Sequence, residues 1–217
     1  MVEKKVNNKG DDTLYGVLSG RHICLFYAAK KDLIDLVVPY FNEGLKLNKF
    51  CMWVVSKPLG VKEAKEILSR RIRSFDTYMK KGQLEILDCK DWYLKSGKFN
   101  PKEVLESWAR KEKQAIKEGF SGLRVSGDTS WLRQKDWANF IHYEKKVDKL
   151  IPKLKMSVLC TYPIDKVDIS DILILSANHR FAFCNKNNKW HIIKNVKLGN
   201  LLYNIKYFVK KQYKRKR

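Results

Sequence analysis

Histidine and cysteine are the residues of this chain best suited to bind a metal ion or take part in redox chemistry. His22 and Cys24 are two residues apart in the apolar run HICLFY, so in a β-strand both side chains would point to one face of the sheet. A metal ion would need further ligands from elsewhere, and His179 and Cys160 are the candidates. The five cysteines occur singly, without a CxxC pair, so a disulfide framework is not expected. Two alternatives stay open for His22, Cys24 and His179: a metal, redox or ligand role, or plain packing in the core.

Hydroxyl, acidic and aromatic residues follow the predicted strands where each strand ends. In open α/β sheets, ligands bind beyond the carboxyl ends of the strands. The predicted ligand site therefore consists of the residues at these ends and in the loops after them: Tyr27, Ser56, Asp88, Trp92, Tyr93, Asp128, Thr129, Trp131 and Tyr162. Aromatic rings with a few polar groups suit a small, largely apolar organic ligand. The alternative is that Trp92 and Trp131 cover the edge of the sheet as core residues.

Glu144 interrupts the apolar face of a helix predicted over residues 136–151. A carboxylate on a buried face must be ion-paired, hydrogen-bonded or neutral. Glu144 is therefore added to the predicted ligand site, in a cleft that it would share with Asp128. The alternative is that the apolar face rotates along the helix, which would bury Val147 and leave Glu144 at the edge.

The elements that must position these residues follow from the alternation of short apolar runs with amphipathic segments. The runs predict strands separated by helices and a closing hairpin, at residues 23–27, 50–56, 84–88, 123–128 and 155–162, then 181–184 with 189–193. Strands that alternate with helices indicate a mostly parallel sheet with helices on both faces. A last helix is predicted from about residue 196 into the basic end of the chain.

The glycine-rich loops by which most nucleotide-binding proteins hold phosphate do not occur in the sequence. The first strand-to-helix turn reads FYAAKKDL, and neither GxxxxGK followed by Ser or Thr nor GxGxxG is found. Backbone amides then have no glycine-permitted cradle for phosphate. A nucleophile-elbow serine and an HExxH helix are missing too. The sequence thus disfavours ATP or NAD binding and predicts a protein that is not an enzyme and has no cofactor.

The chain is strongly basic, with 45 Lys and Arg against 23 Asp and Glu and a net charge of +22. Its last twelve residues, KYFVKKQYKRKR, contain seven basic residues and no acid. We predict weak, salt-sensitive contact of this tail with nucleic acid or an anionic surface, through Lys210, Lys211, Lys214, Arg215, Lys216 and Arg217. The charge also supports the main alternative function, a nucleic-acid-binding protein.

Composition favours one folded domain. Hydrophobic residues make up 44% of the 217 residues, which is enough for a sizeable core and excludes a disordered chain. The apolar runs are too short for a membrane span, and the N-terminus MVEKKVNNKGDD lacks the apolar segment of a secretory signal. We predict a cytoplasmic protein with an extension over residues 1–19, a domain over 20–194 and a basic amphipathic helix over 195–217.

Seven segments resemble the MEDS domain, the methanogen/methylotroph sensory domain first described in the regulator of dichloromethane dehalogenase. The resemblance covers about residues 20–192 in the expected order. The segments are HICLFY (22–27), FCMWVVSKPLGVKEAKEIL (50–68), GQLEILDCKDWYLKSGKFNP (82–101), GLRVSGDTSWL (122–132), YE (143–144), LCTYP (159–163) and NHRFAF (178–183). The resemblance implies a three-layer fold related to RecA/KaiC-like P-loop proteins, in prokaryotic signalling proteins that sense small organic molecules such as hydrocarbon derivatives.

The resemblance also implies roles for individual residues. Tyr27–Lys31 replaces the phosphate-binding loop of a RecA-like ATPase, and Asp128 stands where such an ATPase has its metal-linked acid. His22 and Cys24 correspond to the family residues for which a site role is suspected. No output domain is recognisable, so the signal would pass to a protein partner or a homo-oligomer.

We therefore predict a stand-alone small-molecule sensory domain of signal transduction or transcription regulation that does not hydrolyse nucleotide. The alternative is the basic nucleic-acid-binding protein, here on a degenerate RecA-like fold. A residual enzyme that uses Asp128 and Glu144 is the least supported interpretation.

Overall fold

The computed structural model describes residues 22–186 and 189–194. In chain order the elements of this part are β1 (His22–Tyr27), α1 (Lys30–Lys46), β2 (Phe50–Val55), α2 (Val61–Arg71), α3 (Phe75–Lys80), β3 (Leu84–Asp88), α4 (Cys89–Trp92), α5 (Pro101–Lys117), β4 (Leu123–Asp128), α6 (Trp137–Leu150), β5 (Met156–Pro163), α7 (Ile169–Asn178), β6 (Phe181–Lys186) and β7 (Lys189–Lys194). The predicted N-terminal extension, the predicted last helix and the basic tail residues lie outside the described residues.

The strands form one seven-stranded sheet in the order β3-β2-β4-β5-β1-β6-β7. All neighbouring pairs among the first six strands of this order, from β3 to β6, are parallel. Strand β7 pairs antiparallel with β6 as the predicted hairpin. Strands β1, β2 and β4 are buried along their whole length, because helices cover both faces of the sheet. The predicted fold class, a three-layer α/β protein with a mostly parallel sheet, is confirmed.

Alternate residues of each strand face different helical layers. Ile23, Leu25 and Tyr27 of β1 belong to the core shared with α1, α2 and α3. Cys24 and Phe26 belong to the core shared with α5, α6 and α7. His22 has the same parity as Cys24 and therefore faces the α5–α7 layer.

Helices α6 and α7 begin beside the carboxyl ends of β4 and β5. Helix α6 begins at Trp137 after a 3-10 turn over Gln134–Asp136. Helix α7 begins after Asp168, whose carboxylate accepts a hydrogen bond from the Asp171 backbone amide at 2.8 Å, while Asp171 accepts one from the Asp168 amide. This reciprocal cap fixes the start of α7 at the edge of the sheet where ligand sites are expected.

Helices α3 and α4 were not predicted, since each is too short to show a helical repeat in the sequence. Among the described helices, none combines the length and the apolar character that crossing a bilayer requires.

Candidate functional site

Asp128, the last residue of β4, is buried and saturated with hydrogen bonds. Its Oδ2 accepts hydrogen bonds from Tyr27 Oη at 2.7 Å and Thr161 Oγ1 at 3.0 Å. Its Oδ1 accepts from Ser56 Oγ at 2.5 Å and from the Ser130 amide at 2.9 Å, and the Ser130 hydroxyl donates to it as well. Burial and the Asp128 charge both raise the pKa of Tyr27, so its phenol stays protonated and donates. The chain itself thus uses both oxygens of this carboxylate.

A cavity of about 450 Å³ lies between the starts of α6 and α7. Charged side chains, among them Arg133 and Lys166, contribute to its wall. Trp137 Nε1 donates a hydrogen bond to Asp171 Oδ1 at 2.5 Å and links the two helices there. Its wall also contains Thr129, Leu132, Trp137, Pro163, Val167 and Asp171. Of the predicted ligand residues, Thr129 lines the cavity; its hydroxyl also donates to the Thr161 carbonyl at 2.9 Å.

The predicted aromatic ligand residues pack into the α5–α7 layer. The ring centroids of Trp92 and Trp108 are 4.4 Å apart, and Tyr93 stacks on Trp131 at 5.0 Å. This packing agrees with the alternative in which Trp92 and Trp131 are core residues, and their contact with a ligand stays a prediction. Asp88 caps α4 by accepting a hydrogen bond from the Lys90 amide at 2.9 Å.

A second group of polar side chains, His22, Glu144, Cys160 and His179, is enclosed beneath α6 and α7. We call it the buried cluster; each residue offers one potential ligand atom, and these four atoms lie within 4.8 Å of one another. The Nε2 atoms of His22 and His179 lie 3.4 and 3.3 Å from Glu144 Oε2. Cys160 Sγ lies 3.7 Å from His22 Nε2 and 3.8 Å from Glu144 Oε2. All four residues are buried, so Glu144 is not at the edge of the apolar face.

Hydrogen bonds outside the buried cluster orient both imidazole rings. His22 Nδ1 lies 3.2 Å from Asp148 Oδ1, and His179 Nδ1 lies 2.7 Å from the Leu175 carbonyl oxygen. Because a carbonyl oxygen can only accept, Nδ1 of His179 must donate. Both rings therefore direct Nε2 towards Glu144.

The charges of the buried cluster depend on one another. Burial by itself would raise the pKa of Glu144, but His179 and His22 outweigh it and lower the pKa to about 2. Burial and His22 would lower the pKa of His179, but Cys24 and Glu144 raise it to about 9. Burial first, and then the Glu144 charge, raise the pKa of the Cys160 thiol. The lowered pKa of Glu144 thus favours a carboxylate anion between the two imidazoles, and the raised pKa of His179 favours its protonated form when no metal ion is bound.

The prediction that Asp128 and Glu144 share one cleft is wrong. Asp128 bonds to Tyr27 on the α1–α3 face of the sheet, whereas Glu144 contacts Cys160 on the α5–α7 face. The sheet separates the two acids because Thr161, the partner of Asp128, and Cys160, the partner of Glu144, are successive residues of β5 and point to opposite faces.

Of the two potential metal ligands at the start of β1, His22 belongs to the buried cluster and Cys24 does not. Cys24 lies beside Cys160, its partner in the parallel register, but is not one of the four residues of the buried cluster. Tyr162, from the predicted ligand site, packs edge-on against His179 with ring centroids 6.0 Å apart, next to the buried cluster.

Sequence reasoning missed Ser130 and Thr161 as partners of Asp128, and Asp148 as the partner of His22. A signal for Asp148 exists, since it lies four residues after Glu144 and so on the same helical face. For Ser130 and Thr161, the signal available in the sequence is their position close to the carboxyl end of a strand.

The fold is similar to that of solved α/β proteins, one of which is described as KaiC-like. The chain is similar to a KaiC-like protein from Pyrococcus horikoshii OT3, with 15% identity and a TM-score of 0.61 over 89% of both chains. It is also similar to an uncharacterised protein from Pyrococcus horikoshii solved with an unknown peptide, with 13% identity and a TM-score of 0.56 over 81% of this chain and 84% of that one. The flagellar accessory protein FlaH from Methanocaldococcus jannaschii has 12% identity and a TM-score of 0.53, over 91% and 90%.

Residues 21–180 match the family model described as MEDS, the methanogen/methylotroph, DcmR sensory domain, so the chain belongs to the MEDS family. No curated protein sequence matches the chain.

Proposed function

We propose that this chain is a small-molecule sensory domain that does not hydrolyse nucleotide. Membership in the MEDS family supports the sensory role. The observation that carries the proposal is the saturation of Asp128, the residue that the family resemblance aligns with the metal-linked acid of RecA-like ATPases. Hydroxyl groups of Tyr27, Ser56 and Thr161 occupy its oxygens, and its side chain is buried. A Mg²⁺ ion would have to displace these donors before Asp128 could take part in its coordination.

The turn after β1 supports the same conclusion. In a P-loop protein, backbone amides at this position hold phosphate. Here the amides of Ala28 and Ala29 donate to Asp32 Oδ2 at 3.3 and 3.0 Å. The Asp32 carboxylate therefore takes the place that a phosphate oxygen would need, and its charge repels phosphate.

The cavity between α6 and α7 is the proposed ligand site. It lies at the carboxyl ends of β4 and β5, and its volume of about 450 Å³ suits a small organic molecule. Trp137 and Leu132 offer apolar contact, while Thr129 and Asp171 offer polar groups. Because α6 and α7 both begin at this cavity, a bound ligand would shift their relative position and so pass a signal to a protein partner.

Filling the cavity should abolish ligand binding. Ligand-observed NMR with a panel of short-chain alcohols, amines, thiols and halogenated hydrocarbons measures binding to the wild type and to Leu132→Trp, whose indole would occupy the cavity. We expect at least one class to bind the wild type and to lose more than tenfold in affinity in the variant. The matched control is Gln114→Trp, at a separate cavity of about 490 Å³. Equal binding by wild type and Leu132→Trp would place the ligand elsewhere.

The net charge of +22 supports weak contact with an anionic polymer or surface in addition to ligand sensing. The residues proposed for it, Lys210–Arg217, lie outside the described residues.

A further inference from the structure

We propose that His22, Glu144, Cys160 and His179 bind one divalent transition-metal ion of the Zn²⁺ type through four protein ligands. This inference goes beyond the ligand cavity, which lies at the starts of α6 and α7, and does not depend on it. Two nitrogens, one oxygen and one sulfur form a donor set that Zn²⁺ accepts in proteins.

Four of the six distances between ligand atoms of the buried cluster are close to the edges of a tetrahedron around a metal ion, and the two from His179 to His22 and to Cys160 are within 4.8 Å. With metal bonds of about 2.1 Å to nitrogen and oxygen and about 2.3 Å to sulfur, the edges are about 3.4 Å between N and O and about 3.6 Å to sulfur. The observed N–O distances are 3.4 Å for His22 and 3.3 Å for His179, both to Glu144 Oε2. The distances from Cys160 Sγ are 3.7 Å to His22 and 3.8 Å to Glu144.

The same distances are long for direct hydrogen bonds between charged groups, which are about 2.7–2.9 Å. His179 Nε2 is fully buried, yet it makes no hydrogen bond of acceptable geometry within the described part of the chain, although Glu144 Oε2 is 3.3 Å away. A buried nitrogen that points at a carboxylate without a hydrogen bond to it is explained if the nitrogen and the carboxylate oxygen both coordinate a metal ion.

The outer contacts are those that metal-binding histidines need. A ligating imidazole usually donates its other ring N–H to a carboxylate or a backbone carbonyl, which fixes the tautomer and the orientation of the ring. Asp148 fills this role for His22, and the Leu175 carbonyl fills it for His179. Both Nε2 atoms are thereby left to face the proposed ion.

Charge balance also favours a divalent ion. When it binds, the thiol proton of Cys160 and any proton on an Nε2 atom leave to solvent, so that the ligands are a thiolate, the Glu144 carboxylate and two neutral imidazoles. Their charge of −2 balances the ion in a site with almost no access to water. The ion would also tie α6, which carries Glu144, and the end of α7, next to His179, to strands β1 and β5.

Metal analysis and cobalt spectroscopy of the full chain test the proposal. We expect about one metal ion per chain in the purified wild type by plasma mass spectrometry. Chain refolded with Co²⁺ should show tetrahedral d–d bands and a thiolate-to-cobalt charge-transfer band. Cys160→Ser should lose the charge-transfer band, whereas Cys24→Ser should keep it. Cys24 is the matched control because it is a buried cysteine in register with Cys160 on the next strand.

Three results would overturn the site. The first is a wild type without stoichiometric metal that also gives no cobalt spectrum after refolding. The second is a Cys160→Ser variant that keeps the charge-transfer band. The third needs no variant: X-ray absorption of the wild-type zinc form should find one sulfur and three nitrogen or oxygen neighbours, and a shell with two or more sulfurs, or with none, contradicts the assignment.

Discussion

Replacing Glu144 by glutamine should lower the free energy of unfolding by about 3 kcal/mol or more. Glu144 is 1% exposed and lies between two histidines and Cys160. In the metal-free chain an amide would remove the negative charge and leave the histidines without their partner inside the core, and breaking a buried ion pair in this way costs about 3–5 kcal/mol. Urea unfolding followed by far-UV circular dichroism measures the loss.

Glu112→Gln is the matched control for this experiment. Glu112 is also a buried glutamate on a helix, but its carboxylate accepts a hydrogen bond from the Lys155 amide at 3.1 Å, which an amide oxygen can replace. We expect its loss to stay below about 1 kcal/mol. Equal losses in the two variants would mean that Glu144 is not the charge on which the buried cluster depends.

Replacing Asp128 by asparagine should lower the free energy of unfolding by about 2–3 kcal/mol. Hydroxyl donors reach both carboxylate oxygens, and an asparagine side chain offers one oxygen and an NH₂ group that cannot accept. At least one buried hydroxyl would lose its acceptor, and hydrogen bonds to a charged group contribute about 1.5–3 kcal/mol each. Thermal and urea unfolding of the variant measure the change.

The control is Asp88→Asn, at the carboxyl end of β3 in the same sheet. Asp88 caps α4 through the Lys90 amide, and asparagine caps a helix about as well as aspartate does. Its stability should change by less than about 0.5 kcal/mol. If Asp128→Asn were equally harmless, the hydrogen bonds around Asp128 would not be a stable part of the fold.

The order of strands and helices could be predicted because buried parallel strands are nearly continuous apolar runs. FCMWVV of β2 is an example: all six of its residues are buried. The hairpin of β6 and β7 was predictable from two strand-like runs separated by a polar turn. The position of β1 between β5 and β6 was not, because the order of strands in a sheet depends on contacts between distant parts of the chain.

The sequence likewise predicted only part of the two polar groups, which are the residues around Asp128 and the buried cluster. The rule that ligands bind at the carboxyl ends of strands singled out Tyr27, Ser56 and Asp128, which the structure brings together. Glu144 was predicted to need a partner because it interrupts an apolar helical face, and it has several. That Cys160 rather than Cys24 joins the buried cluster depends on where α6 crosses the sheet, which the local sequence pattern does not encode.

Titration calorimetry of the wild type with MgATP tests most directly the proposal that this chain, despite its RecA-like fold, neither binds nor hydrolyses nucleotide. Because Asp32 occupies the amides after β1 and hydroxyl groups saturate Asp128, we expect no heat beyond that of dilution and no release of phosphate. A micromolar dissociation constant for MgATP would contradict the claim.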